Sequence, residues 1–291
     1  MTRQALLGVV ISLIGITRIF GQEAGSVYKV KVRLVEVYAT VFDHKGRHVP
    51  DLTSERFEVR DNGVPQSIQA FETSTSELSC AILLDATGSM EEALPVVKNA
   101  LLKLIDGLRP DDWIAVYSFN TSLSVRQDFA RDKAGAKRAV LRVRAGGGTA
   151  LFDAVAQVAI DLSQRQGKKV IVAFTDGRDN ASVLHASAAM TRARKVGVPL
   201  YTVAQGEAHK SDKLLDQLRE MSKMTGRSVY VAKKSQDIEE IFADITKDPH
   251  HTYMLAYAPA PASDAKWRTI ALLVKGLKEA RVRARTGYFP N

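Results

Sequence analysis

The chain of 291 residues has a single cysteine, Cys80, so no intramolecular disulfide can staple it. Cys80 opens the apolar run CAILLD and reads as a small buried residue, since no activating His stands beside it in the sequence. Acidic residues are in the minority, with 32 Asp and Glu against 41 Lys and Arg, for a net charge of +9. The basic residues are scattered, dense only between Lys275 and Arg285, and no nucleic-acid motif accompanies them. We therefore read the charge as general solvation, with no nucleic acid expected as a partner. Internal repeats and low-complexity segments are absent. A long apolar run is absent too, except at the start: Arg3 precedes Ala5 to Ile16, and the small residues Gly21 and Ala24 follow. That is the layout of a secretory signal peptide over residues 1–24, too short for an ordinary transmembrane helix. The expectation is a secreted or periplasmic protein with no membrane span once the signal is removed, an uncleaved anchor being the alternative.

Familiar catalytic signatures are also missing. The six His residues show no helical spacing of a zinc site: His44 and His48 flank a turn, and His250 and His251 sit at a domain junction. There is no nucleophile elbow. The run Gly146-Gly147-Gly148 lacks the Lys-Ser/Thr ending of a phosphate-binding P-loop and the spacing of a dinucleotide fingerprint.

What is present is a change of pattern along the chain. Residues 25–77 read as a small antiparallel β region, with turns at Asp43-His44-Lys45-Gly46 and Asp61-Asn62-Gly63. A slip in the alternation at Val35 suggests a bulge. From Leu78 to about residue 250, short apolar runs alternate with segments of helical period, such as Met90 to Leu108 and Ala150 to Ser163. This predicts a Rossmann-like, doubly wound α/β fold with a mostly parallel sheet and helices on both faces. Residues 251–291 return to β, in YMLAYAP, RTIALLV and RVRARTGYF, and are expected to join the N-terminal β region in one antiparallel unit.

Three strand ends carry the chemistry. Asp85-Ala86-Thr87-Gly88-Ser89 closes CAILL, Gly147-Gly148-Thr149 precedes a helix, and Thr175-Asp176-Gly177 closes VIVAF. Open α/β sheets place their sites at the carboxyl ends of strands, so these loops should share one rim. Asp85, Thr87, Ser89, Thr149 and Asp176 would then offer two carboxylates and three hydroxyls. All are hard oxygen donors suited to an octahedral dication, with a position left for an external carboxylate. The competing reading makes Thr87 or Ser89 a simple cap of the following helix. Asp153 reads as a dipole-complementing residue in the first turn of its helix, Asp111-Asp112 as a turn, and Asp179 and Asn180 as solvated loop.

These three strings resemble the metal-ion-dependent adhesion site of von Willebrand factor type A domains, and residues 78–250 resemble the domain in motif order and βα alternation. The resemblance implies that Asp85, Thr87 and Ser89 form the first metal loop, Thr149 the second and Asp176 the third. It implies Mg2+ as the ion, with Mn2+ or Ca2+ as alternatives, and a protein partner that supplies Asp or Glu to it. One departure stands out: Thr87 occupies a position where the family usually has Ser. The flanks resemble the arms of a secreted group of such proteins described from acidobacteria. The expected function is a non-enzymatic, extracytoplasmic binding or adhesion module. The alternatives are a metal-assisted hydrolase and a structural envelope component with a vestigial site. Partner identity and oligomeric state have no signature in the sequence.

Overall fold

The structure is a computed structural model that describes residues 34–73, 75–205, 208, 211–223, 225–227, 229–232, 235–261, 266–277 and 279–290. The signal-peptide reading of residues 1–24 lies outside the described residues. No helix among them is long and apolar enough to cross a membrane.

The chain begins with β1 (Val35–Phe42), β2 (Phe57–Asp61), β3 (Val64–Gln66) and β4 (Ile68–Glu72). Next comes the alternating region: β5 (Leu78–Asp85), α1 (Leu94–Gly107), β6 (Trp113–Phe119), β7 (Leu123–Ala130), α2 (Lys133–Arg142), α3 (Leu151–Ser163), β8 (Lys168–Thr175), α4 (Ala186–Val196), β9 (Leu200–Ala204), α5 (Asp212–Lys223), β10 (Val229–Val231) and α6 (Ser235–His250). It closes with β11 (Thr252–Tyr257), β12 (Arg268–Val274), β13 (Arg281–Arg283) and β14 (Gly287–Tyr288).

The central sheet has the order β10-β9-β8-β5-β6-β7. All its pairings are parallel except β6–β7. The order reverses between β5 and β8, which makes that crevice the topological switch point. Every residue of β5 and of β8 is buried, as strands covered on both faces require. Cys80, Ile82 and Leu84 face one apolar layer with Leu101 of α1, Val140 of α2 and Ile241 of α6. Ala81 and Leu83 face the other, with Val155 of α3, Ala189 of α4 and Leu218 of α5. This is the doubly wound α/β fold that the alternation predicts.

The arms form two four-stranded sheets, β13-β1-β11-β4 and β14-β12-β2-β3, which enclose a common core of Val37, Val59, Tyr253, Leu255 and Ile270 among others. Strands of the two chain ends pair directly, β1 with β11 and β2 with β12, so the N- and C-terminal β regions make one unit as expected. Asn62 and Gly63 both have positive φ, 49° and 81°, as the turn between β2 and β3 requires.

The bulge expected at Val35 involves the alternation of Val30 and Val32, which lies outside the described residues; from Val35 to Thr40 strand β1 keeps unbroken register with β11. Two local expectations need correction. Helix α1 starts at Leu94 and not at Met90, because Gly88–Met90 forms a 3-10 turn and Pro95 falls at the start of the α-helix, where its missing N–H costs nothing. Asp112 is more than a turn residue. It is buried, accepts the N–H groups of Leu78 (3.0 Å) and Arg109 (2.7 Å), and lies 3.3 Å from His250.

Candidate metal centre at the switch point

The carboxyl ends of β5 and β8 lie side by side, with Leu84 paired to Phe174. The next residues, Asp85 and Thr175, touch: the Thr175 hydroxyl donates to Asp85 Oδ2 at 2.7 Å and accepts the Gly177 N–H at 3.0 Å. Asp85 Oδ1 accepts the Thr87 N–H at 3.0 Å, an Asx-type turn that folds the first loop back over the strand end. Asp85 is fully buried. Burial first, then the charge of nearby Asp176, pushes its carboxyl up to about 6, although the bonds from Thr87 and Thr175 favour the ionised form.

The first and second loops are joined through their backbones. Gly146 N–H donates to Ala86 O (2.9 Å) and Gly88 N–H to Gly147 O (3.3 Å). The second and third loops are joined by Asn180, whose side-chain oxygen accepts the Thr149 N–H at 2.7 Å. In return, Thr149 O accepts the N–H groups of Asn180 and Ala181, both at 2.9 Å. Gly148 leaves room for this clamp: a Cβ there would stand 2.9 Å from Asn180 Oδ1. Gly177, at φ +79°, allows the chain to turn immediately after Asp176, and a Cβ would crowd Leu218 at 3.1 Å.

Asp179 and Asn180, read from the sequence as solvated loop, are therefore structural ties of the rim. Asp179 Oδ2 accepts the Phe152 N–H at the start of α3 (3.0 Å) and the Ser182 hydroxyl (2.7 Å). Asp153 stands in the first turn of α3, as expected, and also accepts the N–H groups of Val183 and Leu184 at 2.8 and 3.0 Å. All three polar residues fix the third loop against the second. The signal of Asp179 and Asn180 in the sequence is only their place, shortly after the strand that ends at Thr175.

Five candidate ligands thus stand on three cross-tied loops at one rim. Thr87, Thr149 and Asp176 are buried and Ser89 is exposed. The Thr87 and Ser89 hydroxyl oxygens are 3.1 Å apart. Adjacent ligands of an octahedral ion with bonds of 2.0–2.1 Å stand about 3 Å apart, so this spacing suits one coordination sphere. Neither side chain caps a helix: Thr87 precedes the 3-10 turn without a side-chain cap bond, and α1 begins further on, after Ala93. The helix-cap reading of these residues falls on that geometry.

Asp176 supplies the sharpest test of fit. Its Oδ1 accepts the Arg178 N–H at 3.0 Å, whereas Oδ2 is buried and makes no hydrogen bond. The Arg178 guanidinium, itself half exposed, comes only to 4.0 Å of that oxygen. A buried carboxylate oxygen without a donor carries a desolvation penalty that a cation would offset. The set fits a hard dication: two carboxylates balance its charge, and hydroxyls complete the shell without quenching its electrophilicity. Among the described residues no three His, Cys, Asp or Glu side chains gather as a metal-holding group. The rim set has only two acids and owes the rest of its donors to hydroxyls.

Comparison with known proteins agrees with this architecture. An uncharacterized protein of Synechocystis sp. is 31% identical over 107 residues, which is 35% of this chain and 26% of that protein, so the chain spans about a quarter of that relative. Among solved structures, a von Willebrand factor type A protein from Catenulispora acidiphila superposes with a TM-score of 0.52 at 18% identity, over 79% of this chain and 72% of that one. A D319A mutant of the PilB minor pilin from Streptococcus sanguinis gives 0.51 at 12% identity, over 61% and 62%. Proximal thread matrix protein 1 from the mussel byssus gives 0.51 at 20% identity, over 64% and 48%. The sequence profile of the von Willebrand factor type A domain matches residues 80–244, more than half of the chain, and the chain belongs to that family.

Proposed function

We propose that this protein is an extracytoplasmic binding module that captures an acidic group of a protein partner through a divalent cation, Mg2+ by preference, held by Asp85, Thr87, Ser89, Thr149 and Asp176. The observation that carries the reading is the buried Oδ2 of Asp176, which accepts no hydrogen bond, on the rim that also carries Asp85 and the Thr87 and Ser89 hydroxyls, 3.1 Å apart. The ion supplies a positive charge with an open position; the chain supplies the rigid loops that hold its donors. Ser89, exposed at the edge of the rim, marks the side from which a partner approaches. The names of two fold relatives, a minor pilin and a byssus thread matrix protein, agree with a role in adhesion or assembly.

The test is capture of partners from native envelope extract, with Mg2+ and with chelator, by the wild-type protein and by Asp176→Ala. The expected result is a retained protein that needs Mg2+ and is lost with the variant. Retention unaffected by chelator and by the substitution would contradict the proposal. Turnover of ester or phosphate substrates that depends on Mg2+ would favour the hydrolase reading instead.

A further inference from the structure

At the opposite end of the sheet from the rim, where β8 starts and the β arms pack beneath it, lies a small internal cavity of about 10 Å3. That is room for one water-sized sphere. Its walls include Lys168, Lys169, Arg227, Tyr38, Tyr201 and Pro249. Three of these are cationic side chains, each with under 5% of its surface exposed. Cations buried this deeply are ordinarily paired with carboxylates.

Only one of the three has such a partner in hydrogen-bond contact. Lys169 is bonded to Glu36. Lys168 Nζ donates to the carbonyl oxygen of Thr73 at 3.2 Å, a neutral group, which leaves two of its three protons unassigned. Arg227 donates to the hydroxyls of Thr40 (3.3 Å) and Thr252 (3.1 Å), also neutral, and its buried Nε has no partner. Asp248, whose carboxyl is held down against its burial by the charges of Arg227 and Arg283, hydrogen-bonds to Arg283 at 2.5 Å and to the hydroxyls of Tyr201 and Thr40, not to Arg227. The Lys168 ammonium is pushed down to about 8, by burial first and by the charge of Arg109 second, against the pull of Asp112 and Glu72. A negative charge in the cavity would relieve that penalty.

We propose that this cavity is a binding site for a single monatomic anion of the halide class, chloride in physiological media, held by the Lys168 ammonium and the Arg227 Nε–H. A water molecule would satisfy the same donors but bring no negative charge beside the two cations. The anion would fasten the start of β8 to the loop before β10, through Lys168 and Arg227.

Thermal unfolding of the purified protein at constant ionic strength and pH 7 tests this, with sulfate replaced stepwise by chloride or bromide. Sulfate stabilises folded proteins in general, so the expected result is a saturable rise, with either halide, in the Tm of the wild type relative to that of Lys168→Met. Should that variant fail to fold, bromide-soaked crystals of the wild-type protein decide: an anomalous peak in the cavity supports the site. A Tm that shifts equally in both proteins on the exchange of sulfate for halide, or no bromine signal in the cavity, would overturn the proposal and leave water as the occupant.

Discussion

Replacing Asp85 by Asn should stabilise the metal-free protein while removing its response to metal. Asp85 is fully buried, and its carboxyl is raised from 3.8 to about 6 by burial and by Asp176. The folded state therefore holds this proton more tightly than the unfolded chain does. That contribution to stability is fully present below the unfolded value and is lost as pH rises through about 6. At pH 7.5 the ionised carboxylate consequently costs about 3 kcal/mol, from a difference of some two pH units at ~1.4 kcal/mol each. Asn is neutral and nearly isosteric. Its oxygen can accept the Thr87 N–H, and its amide can donate to the Thr175 hydroxyl oxygen, so both contacts survive with their polarity adjusted. In chelator at pH 7.5, urea unfolding should place Asp85→Asn above wild type by up to about 3 kcal/mol. The two proteins should converge as pH falls below 4. With saturating Mg2+ the order should narrow or reverse, because only the wild type gains binding energy. An Asp85→Asn protein less stable than wild type in chelator at pH 7.5, or one that Mg2+ stabilises as strongly as wild type, would refute this reasoning.

Other consequences are as direct. Asn180→Ala removes the acceptor of the Thr149 N–H and frees the second loop from the third. We expect a loss of about 1–3 kcal/mol in stability, with weaker Mg2+ binding, measured by urea unfolding and titration calorimetry; unchanged metal affinity would show that the clamp does not position Thr149. The Nδ1 atoms of His48 and His251 stand 3.0 Å apart, within hydrogen-bond reach. His251 is held below its ordinary value by burial first and by His48 second, so the unfolded chain binds more protons in acid. Stability should therefore fall as pH drops below about 6.5, and His251→Asn should flatten that decline; superimposable pH profiles would contradict the assignment.

The fold was legible where burial imposes a pattern. The apolar runs of β5 and β8, buried on both faces, and the Asn62-Gly63 turn could be read directly, because alternation and positive φ restrict residue type. The five rim residues were legible as three strings at strand ends. What escaped was polar chemistry fixed by contacts distant in the chain. Nothing local tells Asn180 from a solvated loop residue until Thr149, 31 positions earlier, donates to it. Lys168 and Lys169 looked like scattered surface charge, yet the β arms pack over the start of β8 and bury both. The start of α1 is not legible either, because the apolar period runs on through Met90, while the backbone takes a 3-10 turn there before Pro95 opens the helix.

The central claim is that five oxygen donors on three loops hold one divalent cation. Calorimetric titration of Mg2+ and Mn2+ into chelator-stripped protein tests it most directly, beside Asp176→Ala as the variant that deletes the carboxylate whose buried Oδ2 accepts no hydrogen bond. The account predicts a single site per chain in the wild type and none in the variant. Absence of binding to the wild type, or equal binding to both, would contradict it.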